Sequence, residues 1–273
     1  MNISNLYVYP IKSASGIALQ KTFVAKTGFQ YDRFFALINT KNEIITAREN
    51  SNLLKIHTAI QGGFLFLSSK GKENFQLELN TSSGEGVDIL IFKQSAKAKI
   101  VHTRINTWLS SILKEECRLI SINSNDLRQI KPKYNGTEND FISFSDIAPI
   151  HLFSEASLAD LNTKLKKPVF IKRFRPNIVI SGCQAYQEED WKKIKIGSIE
   201  FDVILKTPRC SFITIDPNTS MKDKNQEPLR TLTTYKKELN SINFGIYLIP
   251  RNTGILKITD AIEIIETHNK VSF

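Results

Sequence analysis

Short apolar runs alternate with polar turns along the first part of the chain. Leu6-Tyr7-Val8-Tyr9 leads into Pro10, and Thr22-Phe23-Val24-Ala25 leads toward Gly28. Phe34–Ile38, Phe64–Leu67 and Val87–Ile91 follow, set apart by segments containing Gly, Asn and Ser. Runs of this kind predict strands of a mainly antiparallel sheet. Between Thr103 and Glu116 the period changes. Ile105, Trp108, Leu109, Ile112 and Leu113 recur at three- and four-residue steps, which predicts an amphipathic helix capped by Thr103. Asn123–Thr137 is polar and aperiodic, so it reads as a loop beside a domain boundary. Ser154–Lys166 predicts a second helix, with Ser154 as cap, Glu155 in the first turn and an inward stripe of Leu158, Leu161 and Leu165. Further strands are expected at Asn177–Ser181, Ile199–Leu205, Phe212–Ile215, Phe244–Ile249, Ile255–Ile258 and Ile262–Ile265, with a short helix near Pro228–Lys237. Many strands and few helices imply a mainly β (α+β) protein built on a β-barrel or a strongly bent sheet. No internal repeat or low-complexity tract interrupts the pattern.

Size and composition narrow this picture. A chain of 273 residues can bury one large core or two smaller ones. An apolar fraction of 41% with 17 Phe excludes a disordered chain. No stretch approaches the ~20 apolar residues of a membrane span, and Met1–Asn5 has no basic-then-apolar secretory pattern. Three cysteines, Cys117, Cys183 and Cys210, form no disulfide framework, and their odd number suits a reducing compartment. A cytoplasmic location is the default expectation. The net charge of +10 could attract nucleic acid, an anionic membrane or an anionic small molecule. Its lysines are scattered, and the densest pairs, Lys166-Lys167 and Lys192-Lys193, lack the interleaved aromatics of a nucleic-acid surface. No nucleic-acid partner is expected.

Candidate chemistry begins with Cys210, which follows Lys206-Thr207-Pro208-Arg209 at the end of one predicted strand and precedes another. A thiolate there is favoured by the adjacent Arg209 charge and would suit a soft or redox-active metal. A lone cysteine is also commonly a small buried hydrophobe, the reading favoured for Cys117 and Cys183. Two basic clusters stand apart. Pro10-Ile11-Lys12-Ser13 closes the first strand with Tyr31-Asp32-Arg33 opening another, and Arg173-Phe174-Arg175-Pro176-Asn177 precedes Ile178-Val179-Ile180. Arg forks and a Lys point charge suit phosphate or carboxylate. Alternation would send Phe174 to one face and Arg173 and Arg175 to the other. Arg33 could equally pair with Asp32. The dispersed glycines form no phosphate-binding loop, the four His are isolated, and no G-x-S-x-G turn appears.

Together these motifs resemble the MOSC superfamily, and most closely the branch containing the mitochondrial amidoxime-reducing component and bacterial YcbX-like proteins. The matching pieces run through nearly the whole chain. They include Leu6–Ser13 with Gly16, Thr27–Arg33, Ile45-Thr46-Ala47-Arg48-Glu49, Ser154–Leu158, Phe174–Gly182, Glu189-Asp190-Trp191, Pro208-Arg209-Cys210, Thr214–Pro217 and Glu227-Pro228-Leu229. The resemblance implies an N-terminal β-barrel-like domain, residues 1–122, packed on a C-terminal MOSC domain, residues 123–273. It implies a molybdenum–molybdopterin cofactor between them. By position, Lys12, Ser13 and Arg33 would contact it from the first domain, and Arg175, Asn177 and Pro208 from the second, with Cys210 as the metal ligand. Ile147 and Ala148 stand where relatives often carry hydroxyls, so contacts there would have to come from backbone amides. Pro208 replaces the Ser of some relatives and offers no amide hydrogen. Asp146 resembles an acidic position near the metal and is the implied proton donor.

The implied activity is reduction of small N-hydroxylated compounds, such as hydroxylamines, amidoximes and N-hydroxylated bases. The alternative is a cofactor carrier or sulfur-transfer module that uses Cys210 without turnover. Some YcbX-like relatives add a ferredoxin domain, but this chain ends at Phe273 and three cysteines are too few for a Cys₄ site. No iron–sulfur cluster is therefore expected in this chain, and electrons would come from a separate reductase, ferredoxin or cytochrome-type carrier. The superfamily also carries a pyridoxal phosphate label, but no local pattern selects a lysine for that chemistry.

Overall fold

The computed structural model describes residues 1–79, 84–91, 94–101, 103–123 and 125–268. Its largest sheet contains β1 (Asn2–Val8), β2 (Ile17–Leu19), β3 (Ile150–Ser154), β4 (Ile178–Ser181), β5 (Trp191–Ile196), β6 (Ile199–Pro208), β7 (Ser241–Pro250) and β8 (Ile262–Thr267). They lie in the order β2-β1-β4-β3-β7-β6-β5-β8, and Lys237–Glu238 adds a short arm on β7. Along this path every pairing is antiparallel except β3 with β4. The first residues of the chain thus share a sheet with its second half.

Barrel closure is not complete: among the described residues the main ladder is an open path. Its ends do approach each other. Asn2 of β1 bridges Ala261, the residue before β8, and Ile262 N–H donates to the Met1 carbonyl at 3.0 Å. Accumulated strand twist curls the sheet until its edges nearly meet.

Alternation places Ile150 and Leu152, Ile178 and Ile180, Ile194 and Ile196, and Ile246 and Leu248 on one face, where they form a core with Leu6, Trp191 and Phe201. On the other face Phe153, Phe174 and Phe244 pack with Leu161 and Leu232. A second core joins Phe35, Leu37, Leu65 and Leu67 to Trp108 and Leu109 of the helix α1 (Thr103–Leu113). It lies beneath a four-stranded antiparallel sheet that includes Phe35–Ile38 and Arg118–Ser121, and a three-stranded one that includes Phe64–Ser68.

The helix α2 (Glu155–Thr163) begins as the sequence predicts, with the Ser154 hydroxyl accepting from Ser157 N–H at 3.3 Å. The short helix α3 (Leu229–Tyr235) also lies where expected. Several local readings are corrected. α1 stops at Leu113 because Lys114 turns left-handed (φ 58°). Phe212–Ile215 is not a strand, since Ser211–Thr214 winds into a 3₁₀ turn. Asn123–Thr137 contains a short strand, Arg128–Gln129, and a 3₁₀ turn, Pro132–Tyr134. His102 and the capping side chain of Thr103 lie outside the described residues. Among those described, no helix is long and apolar enough to cross a membrane.

Candidate active site

The expected site residues converge on one cleft with about 820 Å³ of atom-free space, including that open to solvent. Lys12, Ser13, Arg33, Asp146, Ala148, Arg175, Asn177, Pro208 and Cys210 all line it, and Ile147 does not. Ile147 packs instead beside Ile204 and Ile249. Segments distant in sequence meet here: the stretch after β1, the turn at Arg33, the stretch around Thr46 and Arg48, the approaches to β3 and β4, and the end of β6.

Lys12 is held where the chain leaves β1. Its amide donates to the Phe35 carbonyl at 2.8 Å, and Ser13 then turns left-handed (φ 67°). The Lys12 ammonium is buried, donates to the Phe144 carbonyl at 2.8 Å and is ion-paired with Asp146. Burial lowers its pKa, and Asp146 opposes that shift. Asp146 leaves 45% of its side chain exposed in the cleft. Burial of this carboxyl works to raise its pKa, but Lys12, Arg48 and Arg33 outweigh it and hold the group below the usual carboxylate range. The group is ionised at neutral pH and accepts.

Arg33 pairs with Asp32, as the simpler reading allowed, yet it also faces the cleft. Its guanidinium donates to Asn177 Oδ1 at 3.2 Å and to the Arg175 carbonyl at 3.4 Å. Asn177 is a buried hub: its Oδ1 also accepts His151 N–H at 3.1 Å, and its Nδ2 donates to the Tyr7 carbonyl at 3.2 Å. Strand alternation does not arrange the Arg173 and Arg175 pair. Ile171–Phe174 is a 3₁₀ turn and Arg175 is left-handed (φ 53°), a conformation that aims both arginines around a buried Phe174. Arg173 bonds Asp216 at 3.0 Å and the Thr214 carbonyl at 3.1 Å. Arg175 donates to the Ala14 carbonyl at 2.6 Å, while its buried Nη2 has no hydrogen-bond partner among the described residues. Burial and then the neighbouring Arg33 lower its pKa to about 10.

Cys210 lies just past β6 and caps the 3₁₀ turn, with its thiol exposed to the cleft. Arg48 Nη1 stands 3.8 Å from its sulfur. Arg209 is partly buried beside it, donating to the Phe174 carbonyl at 3.1 Å and through Nε to the Phe244 carbonyl at 2.8 Å. His151 Nε2 lies 2.6 Å from Arg209 Nη2. A guanidinium can only donate, so Nε2 accepts and Nδ1 carries the ring proton, facing the Arg175 carbonyl at 3.4 Å. Burial and then the Arg209 charge hold His151 well below its ordinary pKa, so the ring is neutral.

Arg48, Arg173, Arg209 and His151 were not assigned to the site from sequence. In the sequence Arg209 has a part only as the charge beside Cys210, and Arg173 only as a member of a basic cluster; Arg48 stands in a visible motif with no role assigned, and His151 looks isolated. Six cations, Lys12, Arg33, Arg48, Arg173, Arg175 and Arg209, line the cleft against a single lining carboxylate, Asp146. Asp32 and Asp216 compensate two of the cations, and the remainder still favours an anion.

A molybdopterin cofactor fits this donor set. Its phosphate and pterin acceptors would meet Lys12, Arg33 and Arg175, including the unpartnered Arg175 Nη2, and Cys210 supplies a soft ligand. Among the described residues no group of three or more His, Cys, Asp or Glu could hold a metal ion. A metal arriving with its own organic chelator suits a lone thiol.

Residues 1–116 match the MOSC N-terminal beta barrel domain, and residues 139–263 match the MOSC domain. Mitochondrial amidoxime reducing component 2 of Rattus norvegicus is 32% identical over 95% of this chain and 82% of its own length. Mitochondrial amidoxime-reducing component 1 of Homo sapiens is 31% identical over the same shares. Among solved structures, the YUAD protein from Bacillus subtilis covers 96% of this chain and 93% of its own, with 11% identity and a TM-score of 0.43. That likeness carries no argument about function. The mitochondrial names of these relatives overturn the cytoplasmic expectation. An odd number of thiols speaks only for reducing conditions, which do not specify a compartment.

Proposed function

This chain belongs to the MOSC-domain family of mitochondrial amidoxime-reducing components, and we propose that it is a molybdenum-cofactor-dependent reductase of N-hydroxylated compounds served by a separate electron-donor protein. The observation that carries this reading is the exposed Cys210 thiol in a cleft lined by six cations and one carboxylate. The division between residues 122 and 123 goes with it, because that point falls in the stretch separating the two family matches.

When bound, the cofactor supplies the two-electron couple for the reaction R–NH–OH + 2 e⁻ + 2 H⁺ → R–NH₂ + H₂O. Cys210 would hold the metal through its sulfur. Lys12, Arg33 and Arg175 would bind the cofactor's anionic groups, and the buried Asn177 would fix Arg33 relative to β4. Asp146 provides a proton site at the cleft wall. An anionic cofactor beside Arg33 and Arg48 would offset the charges that depress its pKa. Asp146 could then take a proton from solvent at a carboxylate oxygen and deliver it to the departing hydroxyl, with Lys12 stabilising the carboxylate left behind.

The test uses purified holo-protein, an artificial electron donor, and benzamidoxime and hydroxylaminopurine as substrates. Reduction of either supports the proposal. Stoichiometric molybdenum with neither substrate reduced would overturn it. A stable persulfide on Cys210 in metal-free protein, seen by mass spectrometry, would instead favour the carrier or sulfur-transfer reading.

A further inference from the structure

Tyr9 is the last residue before the Pro10–Ser13 motif, yet it does not line the cleft. Its ring is almost wholly buried. Two arginines that do line the cleft lie over it: the Arg33 guanidinium carbon is 4.4 Å from the ring centroid and that of Arg175 is 4.1 Å. Both distances are well inside the ~6 Å range of cation–π attraction. Arg175 also lies 5.4 Å from the Phe212 ring, the weaker of its two aromatic contacts.

Tyr9 is tied to the backbone of both arginine motifs. Its N–H donates to Asp32 Oδ1 at 2.9 Å, and Arg33 N–H donates to its carbonyl at 2.8 Å. Its hydroxyl donates to the Pro176 carbonyl, one residue past Arg175, at 3.1 Å. Gly16 closes the arrangement. A Cβ at Gly16 would fall 2.4 Å from the Tyr9 ring, so the ring can sit here only because that position has no side chain. One aromatic residue thereby couples a guanidinium near the N-terminus to one 142 residues later.

The two guanidiniums repel each other, and Asp32, paired with Arg33, attracts both at the expense of part of their positive charge. An aromatic face attracts both without adding negative charge. A second carboxylate in the ring's place would cancel the remaining charge that an anionic ligand needs. We propose that Tyr9 is a positioning residue that fixes Arg33 and Arg175 as a preorganised pair for the anionic groups of the cofactor. This rests on the anion-binding reading of the cleft given above, and it adds a residue that acts through the arginines.

The experiment measures binding of inorganic pyrophosphate to the full-length protein by calorimetry, for wild type, Tyr9→Phe and Tyr9→Leu, with thermal midpoints taken in parallel. Phe keeps the ring and loses the hydroxyl bond, so its affinity stays within about twofold of wild type. Leu keeps apolar bulk without the ring, and its affinity falls by about thirtyfold, the equivalent of one desolvated cation–π contact. If Leu does not fold, Gly16→Ala displaces the ring while leaving Tyr9 in place and should weaken binding similarly. Leu binding as tightly as wild type would overturn the proposal, as would Phe losing as much affinity as Leu. Wild-type protein that binds no pyrophosphate would instead overturn the anion-binding reading beneath it.

Discussion

Glu188 provides a sharp test of the electrostatic reasoning because its environment is one-sided. It lies in the 3₁₀ turn Gln187–Asp190 between β4 and β5 and is wholly buried. Oε1 accepts a hydrogen bond from the Ser157 hydroxyl of α2 at 2.7 Å, whereas Oε2 has no partner among the described residues. Burial raises its pKa to about 7, and the Ser157 bond only partly offsets that. The unfolded chain titrates this group near 4.5. The gap corresponds to about 3 kcal/mol of folding free energy once the group is ionised. Because the native carboxyl keeps its proton to higher pH, native protein binds more protons than unfolded protein between pH 4.5 and 7. Stability must fall across that window as pH rises and then level off. Glu188→Gln removes the titration and retains an oxygen for Ser157. Urea unfolding of both proteins at pH 5 and pH 8 should show the variant gaining about 2–3 kcal/mol on wild type between the two conditions. A stability difference that is the same at both pH values would refute the reasoning.

Three other outcomes follow from the same structure. Cys210→Ala should lower reductase activity by at least about a hundredfold and alter the molybdenum content of natively expressed protein, since a direct ligand should matter more than the outer-shell groups whose loss costs 10–100-fold; metal analysis beside turnover checks both. Lys12→Met removes the first charge that holds Asp146 down, so the Asp146 pKa should rise in a carboxyl titration followed by infrared difference spectroscopy. Phe153→Ala deletes a fully buried ring stacked on Phe174 at 4.9 Å and edge-on to Phe244 at 4.8 Å; denaturant unfolding should show a loss of about 3–5 kcal/mol.

Element types were legible where the pattern was periodic and the neighbours were local. Alternation in Phe64–Leu67 and the capped start of α2 at Ser154 required nothing beyond their own residues, although the helix ends at Thr163, short of the predicted Lys166. Phe212–Ile215 misled because Phe, Ile and Thr favour strands, and propensity gives way to tertiary context. There the turn places Cys210 at its start and contributes the Ile213 and Thr214 carbonyls that accept from Arg173. Arg173-Phe174-Arg175 misled for a related reason. Burial of Phe174 against Phe153 and Phe244 sets the direction of the turn, and neither ring is near it in sequence. In the site, the motif residues came from family likeness. Arg48 and His151 depend on contacts more than 50 residues away, with Cys210 and Arg209, which no local spacing encodes.

The way the cleft holds its cations explains why it can remain so positive. Arg209 and Arg175 both titrate near 10, lowered first by burial, and so are still charged at neutral pH. Their protein partners are chiefly carbonyls and a neutral imidazole: Phe174 and Phe244 for Arg209, Ala14 for Arg175, and His151 for Arg209. Carbonyl dipoles solvate a guanidinium without cancelling its charge, whereas carboxylates would have closed the site electrostatically. Acidic partners are reserved for Lys12, Arg33 and Arg173, where Asp146, Asp32 and Asp216 fix position. An arriving anion therefore meets charges already desolvated and oriented, and little reorganisation remains for the moment of binding. The fold bears the cost of burying these cations in advance, and the ligand's charge relieves it. On this account the positions of the carbonyls, more than the number of arginines, keep the cleft ready for an anionic ligand.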